Sequence, residues 1–371
     1  MIDIETLTRP CVRIVSPYFP GKPIAEVQRE LGLKKVIKLA SNENPFGASP
    51  KVLAFLRRET ADVHLYPDGA SPVLRQALAK LHGLSALNVV VGNGSDEVIR
   101  LLCEAFLSPE DDVITSQYGF IRFKQQAMMM GARVIEVPMA DWRHDLETMA
   151  RAVSSRTKIV FVASPNNPTG TYNSKEEIHD LLKALPATTL LVIDEAYYHY
   201  AVHEGDYPRQ STDLVRKFPN VVVLRTFSKA YGLAGLRIGY GVGDAELIGW
   251  LDRIRMPFNL GLLSQRAALE ALKDTAWLKK GVSVVTKERD ALAKTLRDLG
   301  FGVVDSAANF LFAGSPFPGR VLFKRLLKSG VIIRPLDEYG LTHHVRISIG
   351  TPAENRVLLA ALRSALDGAN P

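Results

Sequence analysis

From residue 88 onward, short apolar runs alternate with amphipathic segments, and this alternation restricts the possible fold more than any other property of the chain. Strands are expected at 88–91, 112–116, 133–137, 158–163, 189–193, 221–224 and 239–243. Helical patterns fall between the earlier of them, at 98–106, 120–130, 146–153 and 174–185, the last opened by Ser174-Lys175-Glu176-Glu177 as a capping box. Runs as uniformly apolar as Leu190-Leu191-Val192-Ile193 need cover on both faces. Strands separated by helices supply that cover when they lie side by side in a mostly parallel sheet. The fold class is therefore α/β, and in such sheets functional residues gather at the carboxyl ends of the strands.

Those ends are polar here. Tyr118 follows the second strand, Ser164-Pro165-Asn166-Asn167-Pro168-Thr169-Gly170 the fourth, and Asp194-Glu195-Ala196-Tyr197 the fifth. The sixth runs into Thr226-Phe227-Ser228-Lys229, with Arg237 eight positions beyond the lysine. A lysine among apolar neighbours and near a second cation can lose its proton near neutral pH, which makes it a Schiff-base former. Thr226, Ser228 and Arg237 are residue types that hold a phosphate. Pyridoxal phosphate is an aldehyde cofactor that needs both functions together. A strand followed by a glycine-rich turn and a solvated lysine would look the same locally. Asp194, placed after four apolar residues, is poorly hydrated and wants a cation or a shared proton, as a pyridinium nitrogen would offer; an Asp there could also cap a helix. Gly92-Asn93-Gly94-Ser95-Asp96-Glu97 joins the first strand to a helix, where free N–H groups and the helix dipole favour an anion. Its spacing is neither that of a P-loop nor that of a dinucleotide fingerprint.

The N-terminal part reads as a Pro-rich arm, Ser16-Pro17-Tyr18-Phe19-Pro20-Gly21-Lys22-Pro23, a short helix at 24–31, and a polar loop, Ser41-Asn42-Glu43-Asn44-Pro45-Phe46-Gly47. Tyr66-Pro67-Asp68-Gly69 is a turn. Beyond 243 come helices at 245–254, 263–273 and about 277–299, then a smaller mixed segment carrying Arg334 and Arg346 near strand ends. Guanidinium groups meet carboxylates in a two-pronged geometry, so at least one of these suits a carboxylate-bearing substrate; either could instead be a surface charge. The net charge of +7 is spread in pairs such as Lys34-Lys35 and Arg57-Arg58 without interleaved aromatics. A nucleic-acid groove is therefore not expected, and small anions fit better. Cys11 and Cys103 lack metal-ligand or disulfide spacing, and no run approaches the roughly 18 apolar residues of a membrane span. Without a signal-peptide pattern, a soluble cytoplasmic protein that binds no metal is the expectation.

Asn167-Pro168-Thr169-Gly170, Asp194-x-x-Tyr197, Ser228-Lys229 and Arg237, in that order, resemble the fold-type-I pyridoxal-phosphate aminotransferases over nearly the whole chain. Pro17-Tyr18-Phe19-Pro20-Gly21-Lys22-Pro23, Asn42-Glu43-Asn44-Pro45, Tyr66-Pro67-Asp68, Leu233-Ala234-Gly235-Leu236-Arg237 and Arg346-Ile347-Ser348-Ile349-Gly350-Thr351 bring it nearest the histidinol-phosphate aminotransferase branch. The resemblance implies an arm and helix at 1–38 associated with a small domain, a large cofactor domain at 39–265 built on a seven-stranded sheet, and a small α+β domain at 266–371. It also implies a homodimer with shared active sites. By the same likeness, Lys229 would hold pyridoxal 5'-phosphate covalently and move the substrate proton, and Asp194 would keep the ring nitrogen protonated. Asn167 and Tyr197 would bond the phenolic oxygen, and Tyr118 would stack on the ring. Ser95, Asp96, Thr226, Ser228 and Arg237 would surround the phosphate, with a tyrosine in the position of Tyr66 reaching it across the dimer interface. Arg346, helped by Arg334, would take the carboxylate of the amino donor and the phosphate of histidinol phosphate, with Tyr18 and Asn44 beside the substrate.

The reaction implied is exchange of an amino group between L-glutamate and imidazole acetol phosphate, a step of histidine biosynthesis. An aromatic amino acid aminotransferase and a decarboxylase of phosphorylated amino acids are the alternatives with the same cofactor. A non-catalytic regulator on this fold is opposed by the intact Lys229, Asp194 and Arg237, and a dinucleotide-linked dehydrogenase by the missing fingerprint.

Overall fold

The structure is a computed structural model that describes residues 3–17 and 21–367. Its central sheet has seven strands, β1 (Val89–Asn93), β2 (Asp112–Ser116), β3 (Arg133–Val137), β4 (Thr157–Ala163), β5 (Leu190–Asp194), β6 (Val221–Thr226) and β7 (Ile238–Val242). They lie in the order β1-β7-β6-β5-β4-β2-β3. All run parallel except β7, which is antiparallel to both neighbours. A parallel pair needs a long crossover, usually helical, and the chain between Thr226 and Ile238 holds only the short turn Ala234–Leu236. It folds straight back, pairing Gly239 with Thr226, and so returns Arg237 to the lysine end of β6.

Every residue of β6 and β7 is buried. One apolar cluster, with Val91, Ile114, Val160, Ile193 and Val223, fills one face of the sheet, and another, with Val90, Val113, Phe161, Val192 and Leu224, fills the other. Burying each such side chain contributes about 1.5–3 kcal/mol, so cover on both faces is what fixes the sheet. The helix Lys175–Ala184 starts at the expected box, Ser174 Oγ accepting from Glu177 N at 3.1 Å.

A second core lies around Phe310, Leu322, Val345 and Leu358 beside a four-stranded antiparallel sheet that includes Phe310–Gly314, Arg334–Leu336 and Leu341–Ser348. The strand Ile37–Lys38 pairs in parallel with Val331–Ile332, which ties the chain ahead of the polar loop to this C-terminal unit. Ala267, Ala268 and Ala271 of the helix Leu262–Lys273 are buried in the central-sheet core. We therefore propose that the boundary of the large unit lies after Lys273 rather than at 265. The helices Pro50–Leu56 and Pro72–His82 do not stand out in the sequence pattern, and both begin with proline at their first position.

Candidate active site

A cavity of about 370 Å³ opens where the carboxyl ends of β4, β5 and β6 meet the start of the helix Ser95–Phe106 and the Arg334 and Arg346 side chains. Ser95, Asp96, Asn167, Asp194, Tyr197, Thr226, Ser228, Lys229 and Arg237 all line it, as do both C-terminal arginines.

At one end is an anion cradle. Gly94 precedes the helix with φ 77°, and a Cβ there would run into the Arg237 guanidinium. The Gly94 N–H donates to the Arg237 carbonyl at 2.9 Å, and Arg237 itself is left-handed at φ 52°. Arg237 Nη1 donates to Ser228 Oγ at 3.4 Å, and Ser228 N to Thr226 Oγ1 at 3.0 Å. Gly239 of β7 lies so close beneath Ser95 that any Cβ would overlap its backbone nitrogen. Glycine at both positions lets a helix N-terminus and an arginine converge on one point, as a phosphate requires. Gly94→Ala combines an unfavourable φ with a displaced guanidinium. It is expected to weaken cofactor retention about tenfold or more, read by fluorescence titration of the apoenzyme, since hydrogen bonds to charged groups contribute about 1.5–3 kcal/mol.

At the other end Asp194 accepts from Ala196 N at 3.0 Å. Burial pushes its carboxyl up to about 7, that backbone bond opposes the shift, and the charges of Glu195 and Asp96 add to it. A buried carboxylate so short of compensation suits a cationic N–H facing it. Tyr197 OH accepts from Asn42 Nδ2 at 3.0 Å, and Asn42, left-handed at φ 54°, is held in turn by Ser348 Oγ. Asn167 Oδ1 accepts from Arg346 Nη1, so the amide nitrogen is the part of Asn167 able to donate into the cavity. Arg346 also donates to the Ala40 carbonyl at 2.7 Å and lies over the Phe310 ring.

Lys229 lines the same cavity, donating to the Ser41 carbonyl at 3.2 Å. Burial lowers its pKa to about 7, with Arg346 and Arg237 lowering it further against the opposing pull of Glu43 and Asp194. This is the nucleophilic, exchangeable amine that the sequence suggested. An amine, a phosphate cradle and a carboxylate awaiting a ring nitrogen in one cavity fit pyridoxal 5'-phosphate.

Two expected residues, Tyr118 and Asn44, do not line this cavity. Tyr118 packs with Trp142, ring centroids 5.6 Å apart, beside Phe312 and Leu341, while Phe120 occupies the cavity wall. Asn44 turns its Nδ2 to the Ala230 carbonyl at 2.8 Å and its Oδ1 accepts from Phe46 N, so it braces the lysine loop. Tyr66 is 81% exposed and stacked on Phe258. Tyr18 lies outside the described residues. Two residues the sequence reading missed do line the cavity. Asn42 positions Tyr197, and Arg122 grips Asp96 through Nε at 2.7 Å and Nη2 at 3.2 Å. Arg122 lies in the helix Ile121–Met130 that follows β2, so the strand-end rule reaches it; Asn42 belongs to a loop whose polarity was visible.

A lysine and a carboxylate at the strand ends of a helix-covered sheet, faced by two arginines of the C-terminal sheet, suit an aminotransferase, and the chain belongs to the aminotransferase class I and II family, whose model matches residues 34–362. Within that family it is similar to histidinol-phosphate aminotransferases. The one from an Anaeromyxobacter species is 47% identical over 360 residues, 96% of this chain and 98% of that protein. The one from Moorella thermoacetica is 44% identical over 358 residues, 96% and 92% of the two chains. The crystal structure of histidinol-phosphate aminotransferase from Sinorhizobium meliloti in complex with pyridoxal-5'-phosphate superposes with a TM-score of 0.88 at 32% identity, covering 97% of this chain and 98% of that one.

Proposed function

We infer that the chain uses pyridoxal 5'-phosphate to exchange an amino group between L-glutamate and imidazole acetol phosphate, giving 2-oxoglutarate and L-histidinol phosphate. The observation that carries this reading is that Lys229 shares one cavity with Asp194 and with Arg334 and Arg346. When bound, the cofactor supplies a ring that accepts the electrons left at the substrate carbon after proton loss. The chain's own groups do the rest. Lys229, with its pKa near 7, takes that proton and returns it on the cofactor side. Asp194 holds the ring nitrogen's proton, Tyr197 and Asn167 orient the ring from the phenolic side, and Arg237 with Ser95, Asp96, Thr226 and Ser228 anchors the phosphate. Phe120 lines the cavity wall.

Arg346 and Arg334 receive the substrate anion, the carboxylate of glutamate in one half-reaction and the phosphate of histidinol phosphate in the other. Comparing histidinol phosphate, phenylalanine and tyrosine as donors to 2-oxoglutarate tests the substrate. Turnover of histidinol phosphate at a higher kcat/KM supports it, and a preference for phenylalanine refutes it.

We propose further that two copies assemble, with Tyr66 of each entering the other's cavity. Supporting this, Tyr66, Leu65 (57%) and Met256 (59%) are all exposed, next to the stacked Phe258. Tyr66→Phe is expected to weaken cofactor retention about tenfold or more, the effect of one hydrogen bond to a charged group. In mixed dimers of one Tyr66→Phe chain and one Lys229→Ala chain, the lysine-bearing site should retain cofactor as the wild type does, because its tyrosine comes from the other chain; a defect there would refute the proposal. The cytoplasm is the proposed compartment; among the described residues no helix is long and apolar enough to cross a membrane.

A further inference from the structure

The two arginines facing the cavity are held in different ways. Arg346 donates to neutral acceptors, Asn167 Oδ1 and the Ala40 carbonyl, so it keeps its whole charge. Arg334 is gripped by a carboxylate. Its Nη2 donates to both oxygens of Glu338 at 2.8 and 2.7 Å, and its Nε to Oε1 at 3.3 Å. The pair is mostly shielded, with side-chain exposures of 11% for Arg334 and 22% for Glu338. Arg334 lines both the inner cavity and a larger outer groove of about 960 Å³, and Glu338 lines that groove, so Glu338 stands at the mouth of the anion site. The Nη1 side of Arg334 approaches Gly21, on the cavity side of the pair.

We propose that Glu338 is a specificity-determining residue that moderates the anion pocket by cancelling much of the charge of Arg334. This rests on the reading that Arg334 and Arg346 receive the substrate's anionic group. Amino-group exchange alternates two substrates in one site, so the pocket must take up and release both a singly charged carboxylate and a doubly charged phosphate ester. Two uncompensated arginines would favour the phosphate ester disproportionately, because Coulomb attraction scales with ligand charge. Glu338 occupies N–H groups of Arg334 and offsets its charge, so it weakens the attraction this arginine offers by about twice as much for the dianion as for the monoanion, which brings the two affinities together. Glu338 faces Arg334 from the turn that follows its strand; the other charged groups along the groove are Arg320, paired with Asp337 at 3.2 Å, Lys324, and Lys124 paired with Glu136. None of these lines the inner cavity.

The test is steady-state kinetics of the holoenzyme with Glu338→Gln, Arg334→Gln and the double variant. Glu338→Gln is expected to lower KM for histidinol phosphate about fivefold, the scale of a partly screened charge contact, and KM for L-glutamate about twofold. The kcat should not rise, since ground-state binding is what changes. In the Arg334→Gln background the same substitution should shift KM for histidinol phosphate by less than about twofold, which shows that Glu338 acts through Arg334. An unchanged or raised KM in Glu338→Gln would overturn the proposal, as would equal shifts for both substrates or an undiminished shift without Arg334. If the wild-type enzyme does not turn over histidinol phosphate, the substrate reading fails separately. Inhibition of the glutamate half-reaction by inorganic phosphate then still decides the role of Glu338: the inhibition constant falls in Glu338→Gln if the proposal holds and stays or rises if it does not.

Discussion

Lys229→Ala is expected to lower transamination by about 10⁴-fold or more, because a positioned general base alone contributes 10²–10⁴-fold and this residue also holds the cofactor. Among the described residues Lys229 is the one amine that lines the cavity, where the other polar side chains are carboxylates, hydroxyls, amides and guanidinium groups. Single-turnover rates with L-glutamate measure the loss. Borohydride treatment followed by mass determination should fix the cofactor to the wild-type chain and not to the variant. Lys229→Arg separates charge from chemistry: it keeps a cation beside Asp194 yet should be as inactive as the alanine variant. Activity in Lys229→Arg within about tenfold of wild type would remove the proton-transfer role altogether. The pH dependence follows from burial. The amine titrates near 7 in the folded chain against 10.5 for an ordinary lysine, so the neutral fraction, and with it the rate of cofactor capture by the apoenzyme, should rise as pH passes through about 7 and then level off. For stability, the unfolded chain binds this proton between about 7 and 10.5 while the folded chain does not. The contribution of Lys229 to apoenzyme stability therefore increases with pH across that window.

The parallel sheet and most of the cavity wall were legible in the sequence for one physical reason: strands buried on both faces read as uniform apolar runs, so the polar residues that end them stand out. Asp194 after Leu190–Ile193 and Lys229 after Val221–Thr226 are such cases, and both line the cavity. The reversed direction of β7 was not legible, because strand polarity depends on the connection, and Ala234–Leu236 differs from a crossover only by lacking a helix. Tyr118 and Asn44 point elsewhere for a related reason. Each lies in the right loop, but the direction a loop side chain takes is set by tertiary partners, here Trp142 and the Ala230 carbonyl, which sequence proximity does not reveal. Arg122 and Asn42 are the converse. Arg122 resembles an ordinary charge in a helix until Asp96 is seen opposite it, and Asn42 resembles a turn residue until its left-handed backbone aims the amide at Tyr197. Glu338 belongs here too: four residues from Arg334, it would pass as a routine surface pair, and only its place at the cavity mouth gives it a role.

Asp194→Asn should cost about 10²–10³ in kcat, the usual effect of removing one preorganised electrostatic partner from a water-poor site. Asparagine keeps the shape of the side chain, and its oxygen can still accept from Ala196 N, so the turn after β5 should survive and the variant should fold. What it loses is the negative charge that holds a proton on the ring nitrogen. The defect should therefore appear in kcat rather than in KM for L-glutamate, because Arg346 and Arg334 are untouched. The change in stability has a definite sign. In the apoenzyme, burial raises the Asp194 carboxyl to about 7 from 3.8, so between those values the folded chain binds a proton that the unfolded chain does not. The contribution of Asp194 to stability is then complete below about 3.8 and falls as pH rises towards 7. Asparagine has no charge to desolvate, so apo Asp194→Asn should melt at or above the wild-type temperature at neutral pH, and the two should converge on acidification. The cofactor reverses the comparison, since a protonated ring nitrogen stabilises the carboxylate and not the amide. Adding pyridoxal 5'-phosphate should therefore raise the wild-type Tm more than that of the variant. Thermal melts of both proteins with and without cofactor measure this, and a variant that gains as much from the cofactor as the wild type does would show that Asp194 is not the partner of the ring nitrogen.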